Sequence, residues 1–79
     1  MNGVCLSPME LKILKGLANG MQSKEIAAIV QRSTATVELR VRGLFAKFDA
    51  RSRAHLVACA LCTGAIGTED IESVAGRAV

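Results

Sequence analysis

Residues 33–53 read STATVELRVRGLFAKFDARSR, and the fold is decided here. Val37, Val41, Leu44, Phe45 and Phe48 recur at i, i+4, i+7, i+8 and i+11, the spacing of one core-facing helix stripe. Ser33 or Thr34 supplies the cap, and Asp49-Ala50-Arg51-Ser52 breaks the pattern. The spacing therefore predicts one amphipathic helix followed by a basic turn. Its outer face carries Arg40, Arg42 and Lys47, with Glu38 and Leu39 among them. A carboxylate and an exposed leucine are out of place on an otherwise cationic face.

Upstream, Leu6-Ser7-Pro8-Met9-Glu10 is a helix start. Ser7 can cap, Pro8 takes the first helical position where its missing N–H costs nothing, and Glu10 completes a capping box. Leu11, Leu14, Leu17 and Ala18 mark one face with Ile13 beside them, and Asn19-Gly20 ends the helix. Gln22-Ser23-Lys24-Glu25 opens a short second helix, with Ile26, Ala27, Ile29 and Val30 as its expected buried side. Downstream, Ser52 caps a fourth helix from Arg53 to about Thr63, stopped by Gly64. Thr68-Glu69-Asp70-Ile71 offers one further helical turn, although Gly76 beyond it suggests fraying.

The expected architecture is all-α, with four helices in residues 1–66 and a short acidic tail in residues 67–79. Seventy-nine residues allow one core. With Phe45 and Phe48 the only aromatic residues, that core must be built from aliphatic side chains, which favours packed helices over a sheet. The apolar stretch 56–66 is too short to cross a bilayer, which takes about 20 residues. No secretory leader is visible, so a cytoplasmic protein away from membranes is expected.

Three cysteines make an odd number, and Cys59 and Cys62 fall inside a helical pattern, which argues against a disulfide scaffold. Cys59-Ala-Leu-Cys62 has only His55 nearby and no second ligand pair, so no metal site and no cofactor are expected. No nucleophile–base pair, carboxylate pair or phosphate-cradling glycine loop is present either, and the chain reads as a non-enzyme. Between Gln31 and Arg53 six basic residues face two acidic ones, whereas the tail carries Glu69, Asp70 and Glu72 against Arg77. A basic middle suits a polyanion.

The sequence resembles the LuxR/GerE-type (NarL/FixJ-like) helix-turn-helix family. The likeness is carried by Leu6-Ser7-Pro8-x-Glu10, Leu14-x-x-Leu17-Ala18-x-Gly20, Lys24-Glu25-Ile26-Ala27, Thr36-Val37, Lys47-Phe48 and Arg51-Ser52-Arg53-Ala54-x-Leu56-Val57. It implies a transcriptional regulator that binds duplex DNA, with the second and third helices as the reading pair and the third in the major groove. With five residues before Leu6, a free-standing regulator without an upstream sensor is expected.

The resemblance places base-edge contacts at Glu38, Leu39 and Arg42. The Arg42 fork can bond guanine O6 and N7 together, Leu39 can meet a thymine methyl, and Glu38 can accept from cytosine N4. Glu38 can equally pair with Arg42 at i+4 and hold it in place. Ser33, Thr34, Thr36, Arg40, Lys47 and Arg51 are the candidates for phosphate contact, which sets register without reading sequence. In many relatives the fourth helix is the dimer contact, and here His55, Ala58, Cys59 and Cys62 form its small, mostly apolar outer strip. A homodimer is the expectation. The competing reading is a protein-interaction module that pairs with larger family members or another protein, which Glu38 and Leu39 favour and the basic run opposes. The family departures also include Gly43 in mid-helix, Asp49 where a glycine usually ends the third helix, and Gln22 in place of a serine cap.

Overall fold

The computed structural model describes residues 5–72. Four helices follow one another: α1 (Pro8–Ala18), α2 (Ser23–Val30), α3 (Thr34–Phe48) and α4 (Arg53–Thr63). A turn of 3₁₀ helix at Thr68–Asp70 comes last, and among the described residues there is no strand. α1 and α3 each pack against the other three helices, and α2 lies against both.

The helix ends follow from local chemistry. At α1, the Ser7 hydroxyl accepts the Glu10 N–H at 3.1 Å while the Glu10 carboxylate accepts the Ser7 N–H at 2.9 Å. The weak Gln22 start of α2 is repaired from inside the helix, because Glu25 accepts the Gln22 N–H at 2.8 Å. Ser33 and Ser52 cap α3 and α4 through the N–H groups of Thr36 and His55. Asp49 ends α3 in the left-handed conformation (φ 51°), where a non-glycine residue costs about 1–2 kcal/mol. Gln31 does the same after α2 (φ 59°), a turn that no glycine or asparagine announces.

The core is aliphatic. Ile13, Leu14, Val37, Leu44, Leu56 and Ala60 are wholly buried, with Leu17, Ile26, Ala27, Val41, Phe48 and Ile66 closed around them. The face of α1 is centred on Ile13, Leu14 and Leu17, leaving Leu11 and Ala18 half-buried. α2 differs from expectation in one residue, since Ile29 is 62% exposed. The inward arc of this short helix is filled by Ser23, Ile26, Ala27 and half-buried Val30, which rotates Ile29 to the edge facing α1. α1 and α2 meet closely at Gly16, where an added Cβ would stand 2.8 Å from the Ile26 side chain.

The tail does not fray before Glu72. The side-chain amide of Asn19 donates to the Asp70 carbonyl at 2.8 Å, and its oxygen accepts the Glu72 N–H at 2.7 Å. Lys15 adds an ion pair to Asp70 at 3.4 Å. The Asp70 carboxyl is held below its ordinary value, chiefly by the Gly67 N–H and further by Lys15. Gly76 lies outside the described residues.

Candidate nucleic-acid interface

α3 is anchored by one face and leaves the opposite one open. Val37, Val41, Leu44 and Phe48 turn inward, while Ala35, Glu38, Leu39, Arg42 and Ala46 are exposed. Leu39, Arg42, Gly43 and Ala46 follow i, i+3, i+4 and i+7, a single outward stripe. Leu39 is 64% exposed, and a Cβ added at Gly43 would meet nothing within 4 Å. No neighbouring helix among the described residues therefore accounts for Gly43.

Glu38 and Arg42 sit one helical turn apart without joining. Among the described residues the ion pairs are Lys15–Asp70 and Lys47–Glu10. The i+4 pairing that would occupy both side chains is not formed, so both present their hydrogen-bonding groups to solvent. Arg40 and Arg51 are exposed cations as well.

The start of α3 offers hydrogen-bond donors. The N–H groups of Thr34 and Ala35 have no intrahelical acceptor, and the helix dipole favours an anion there. The Ser33 hydroxyl is engaged twice, accepting from Thr36 N–H and donating to the Thr36 hydroxyl at 3.0 Å. That leaves the Thr36 hydroxyl proton and exposed Thr34 as the side-chain donors at this corner.

Lys47 is placed differently from its neighbours in the basic run. Its ammonium lies 2.8 Å and 3.0 Å from the two Glu10 carboxylate oxygens and donates to the Cys5 carbonyl at 3.0 Å. Glu10 is 8% exposed, and its carboxyl is held below its ordinary value first by the Lys47 hydrogen bond and then by the Ser7 N–H. All three ammonium protons thus have acceptors in α1 and the residues before it. Lys47 straps the end of α3 to the start of α1.

On α4, His55, Ala58 and Cys62 are exposed, while Cys59 is half-buried against the core. Leu56 and Ala60 face fully inward, with Val57 and Leu61 half-buried beside them. The His55 ring accepts the Arg51 N–H at 3.0 Å and thereby joins the turn to the helix start. The tail up to Glu72 runs to Lys15 of α1 and to Asn19 just past its end rather than over this strip. All three cysteines are free thiols, and among the described residues no cluster of metal-ligating side chains forms. Among the described residues no helix is long and apolar enough to cross a membrane.

Sequence reasoning did not see two things. Asn19 was readable only as a helix end, and nothing local announces that its amide grips a segment some fifty residues away. Arg32, beside the Ser33 cap, is exposed but lines a hollow against α1 instead of joining the outward stripe of α3.

A short helix joined by a tight turn to a longer one, whose outward face is unpartnered among the described residues, defines a helix-turn-helix domain. The chain belongs to the luxR family of bacterial regulatory proteins, whose profile matches residues 4–60. It is 40% identical over 65 residues to the HTH-type quorum-sensing regulator RhlR of Pseudomonas aeruginosa, covering 82% of this chain and 27% of that protein. It is also 40% identical over 48 residues to the nitrate/nitrite response regulator protein NarP of Escherichia coli, covering 61% of this chain and 22% of that protein. The chain thus spans about a quarter of the length of these curated relatives. The family is one of regulators rather than enzymes.

Proposed function

We propose that this transcriptional regulator binds duplex DNA as a homodimer, with α3 in the major groove. The observation that carries the reading is the outward stripe of α3, where Glu38, Leu39 and Arg42 project with no partner among the described residues. Arg42 reads guanine through its two-pronged donor set, Leu39 packs on a thymine methyl, and Glu38 accepts from cytosine N4. Arg40, Arg51, Thr34 and Thr36 hold the phosphates on either side, whereas the Ser33 hydroxyl proton is already given to Thr36. Lys47 is left out of that set because its donors are already used by Glu10 and Cys5.

The dimer contact is the α4 strip of His55, Ala58 and Cys62, with Cys59 at its inner edge. Its small side chains permit close helix approach, and the described part of the tail leaves it uncovered. Two-fold symmetry would then set two copies of α3 on two half-sites.

Fluorescence anisotropy on a selected duplex, measured as a function of salt, tests the reading. Affinity should fall steeply with salt as counterions return to the phosphates, and saturation should require two chains per site. Absence of binding to any duplex at low salt would overturn it in favour of a protein-interaction module.

A further inference from the structure

Ile29 is the large apolar residue of α2 that the core does not take. It does not share the surface of α3 where Leu39 lies. It lines two adjoining hollows along the seam between α1 and α2, and Lys12 lines both. Met9, Val30 and Arg32 bound one hollow, and Lys15, Met21 and Ile26 bound the other. The second hollow is mostly apolar and the first mostly polar, Ile29 stands where they meet, and cations flank both. Lys12 and Arg32 have no acidic partner at ion-pair distance among the described residues.

One end of this seam already shows what it accepts. The peptide around Asp70 and Glu72 is seated there, with a carboxylate on Lys15, both halves of the Asn19 amide on its backbone, and Glu72 at the edge of the second hollow. Acidic peptide is thus a fitting ligand for the occupied end, and the same charge sign continues along the rest of the seam, which no described residue covers. A phosphate backbone would satisfy Lys12 and Arg32 but would bring no apolar side chain to Ile29.

We infer that the α1/α2 seam is a docking surface for an acidic, amphipathic segment of another protein, laid as a helix with an apolar side chain on Ile29 and carboxylates toward Lys12 and Arg32. This surface is separate from the outward stripe of α3, and a bound partner leaves that stripe uncovered.

The probe is a capped helical peptide of glutamate with leucine at three- and four-residue spacing, and its counterpart has lysine in place of each glutamate. Added to the full chain, the glutamate peptide should move the methyl resonances of Ile29 and Met9, and the lysine peptide should not. Ile29→Glu should weaken binding at least about tenfold with an unchanged helical circular-dichroism spectrum. Lys12→Glu combined with Arg32→Glu should reverse the preference toward the lysine peptide. Shifts centred on Leu39, an equal response to both peptides, or unaltered binding by Ile29→Glu would overturn the proposal. So would a loss of duplex binding in the Lys12→Glu, Arg32→Glu chain without any peptide response, since the seam would then belong to the phosphate track.

Discussion

Arg42 and Lys47 stand on the same helix, carry the same charge and are both exposed, yet their surroundings differ. In the first half and middle of α3, Glu38 and Arg42 project with their hydrogen-bonding groups unclaimed among the described residues. At its end, Lys47 is drawn back onto Glu10 and the Cys5 carbonyl. The difference teaches that cations in a basic run are not equivalent. Those on the outward stripe are left unclaimed by the described residues, and the one at the far end fixes the helix that carries them.

The strongest way to break this contrast is Arg42→Ala. On a preferred duplex it should cost roughly 1–3 kcal/mol and relax discrimination at one base pair, with melting temperature unchanged. Unaltered affinity would remove Arg42 as a reader. Next comes Glu38→Lys, which adds a cation where a carboxylate opposes phosphate. Non-specific duplex binding should rise about tenfold and its salt slope steepen by about one, while preference among duplexes narrows. If neither moves, Glu38 faces no nucleic acid.

The other end of α3 should respond in stability rather than binding. Lys47→Met should lower unfolding free energy by roughly 1 kcal/mol, read by denaturant titration, and leave duplex affinity within about twofold. The pair also predicts an acid response. Glu10 has a folded-state value below its ordinary 4.5, so its contribution is complete above that value and is lost as pH falls through the lowered one. Asp70 acts in the same direction. The acid-side slope of stability should therefore be shallower in the Lys47→Met chain than in the parent. The smallest effect is expected at Gly43→Ala. With open space around the site, the substitution should stabilise α3 by somewhat under about 1 kcal/mol. A simultaneous loss of duplex affinity would show that DNA passes over that position.

Much of the fold was legible because its signals are local. The Ser7-Pro8-Glu10 start, the Ser33 and Ser52 caps, the Gly64 stop and the five-residue stripe of α3 all act within a turn or two. The left-handed Asp49 was readable from the missing glycine. Ile29 was misread because an eight-residue helix gives too few positions to fix its rotation about its own axis. Lys47 and Asn19 were opaque for another reason: their partners lie 37 and 51 residues away, and only packing decides which side chains meet. The candidate reading face was visible in the alternation of apolar and polar positions. Which of its members were already engaged was not.

The separation of the two faces of α3 bears on how such a regulator changes over time. Ala35, Glu38, Leu39, Arg42 and Ala46 lie outside the buried core, and Gly43 has empty space around it. Substitutions along that stripe can accumulate without unfolding the domain, so under the proposed reading operator preference is free to drift while the scaffold stays constant. The same separation makes the stripe a place to write a new binding specificity by exchanging surface letters alone.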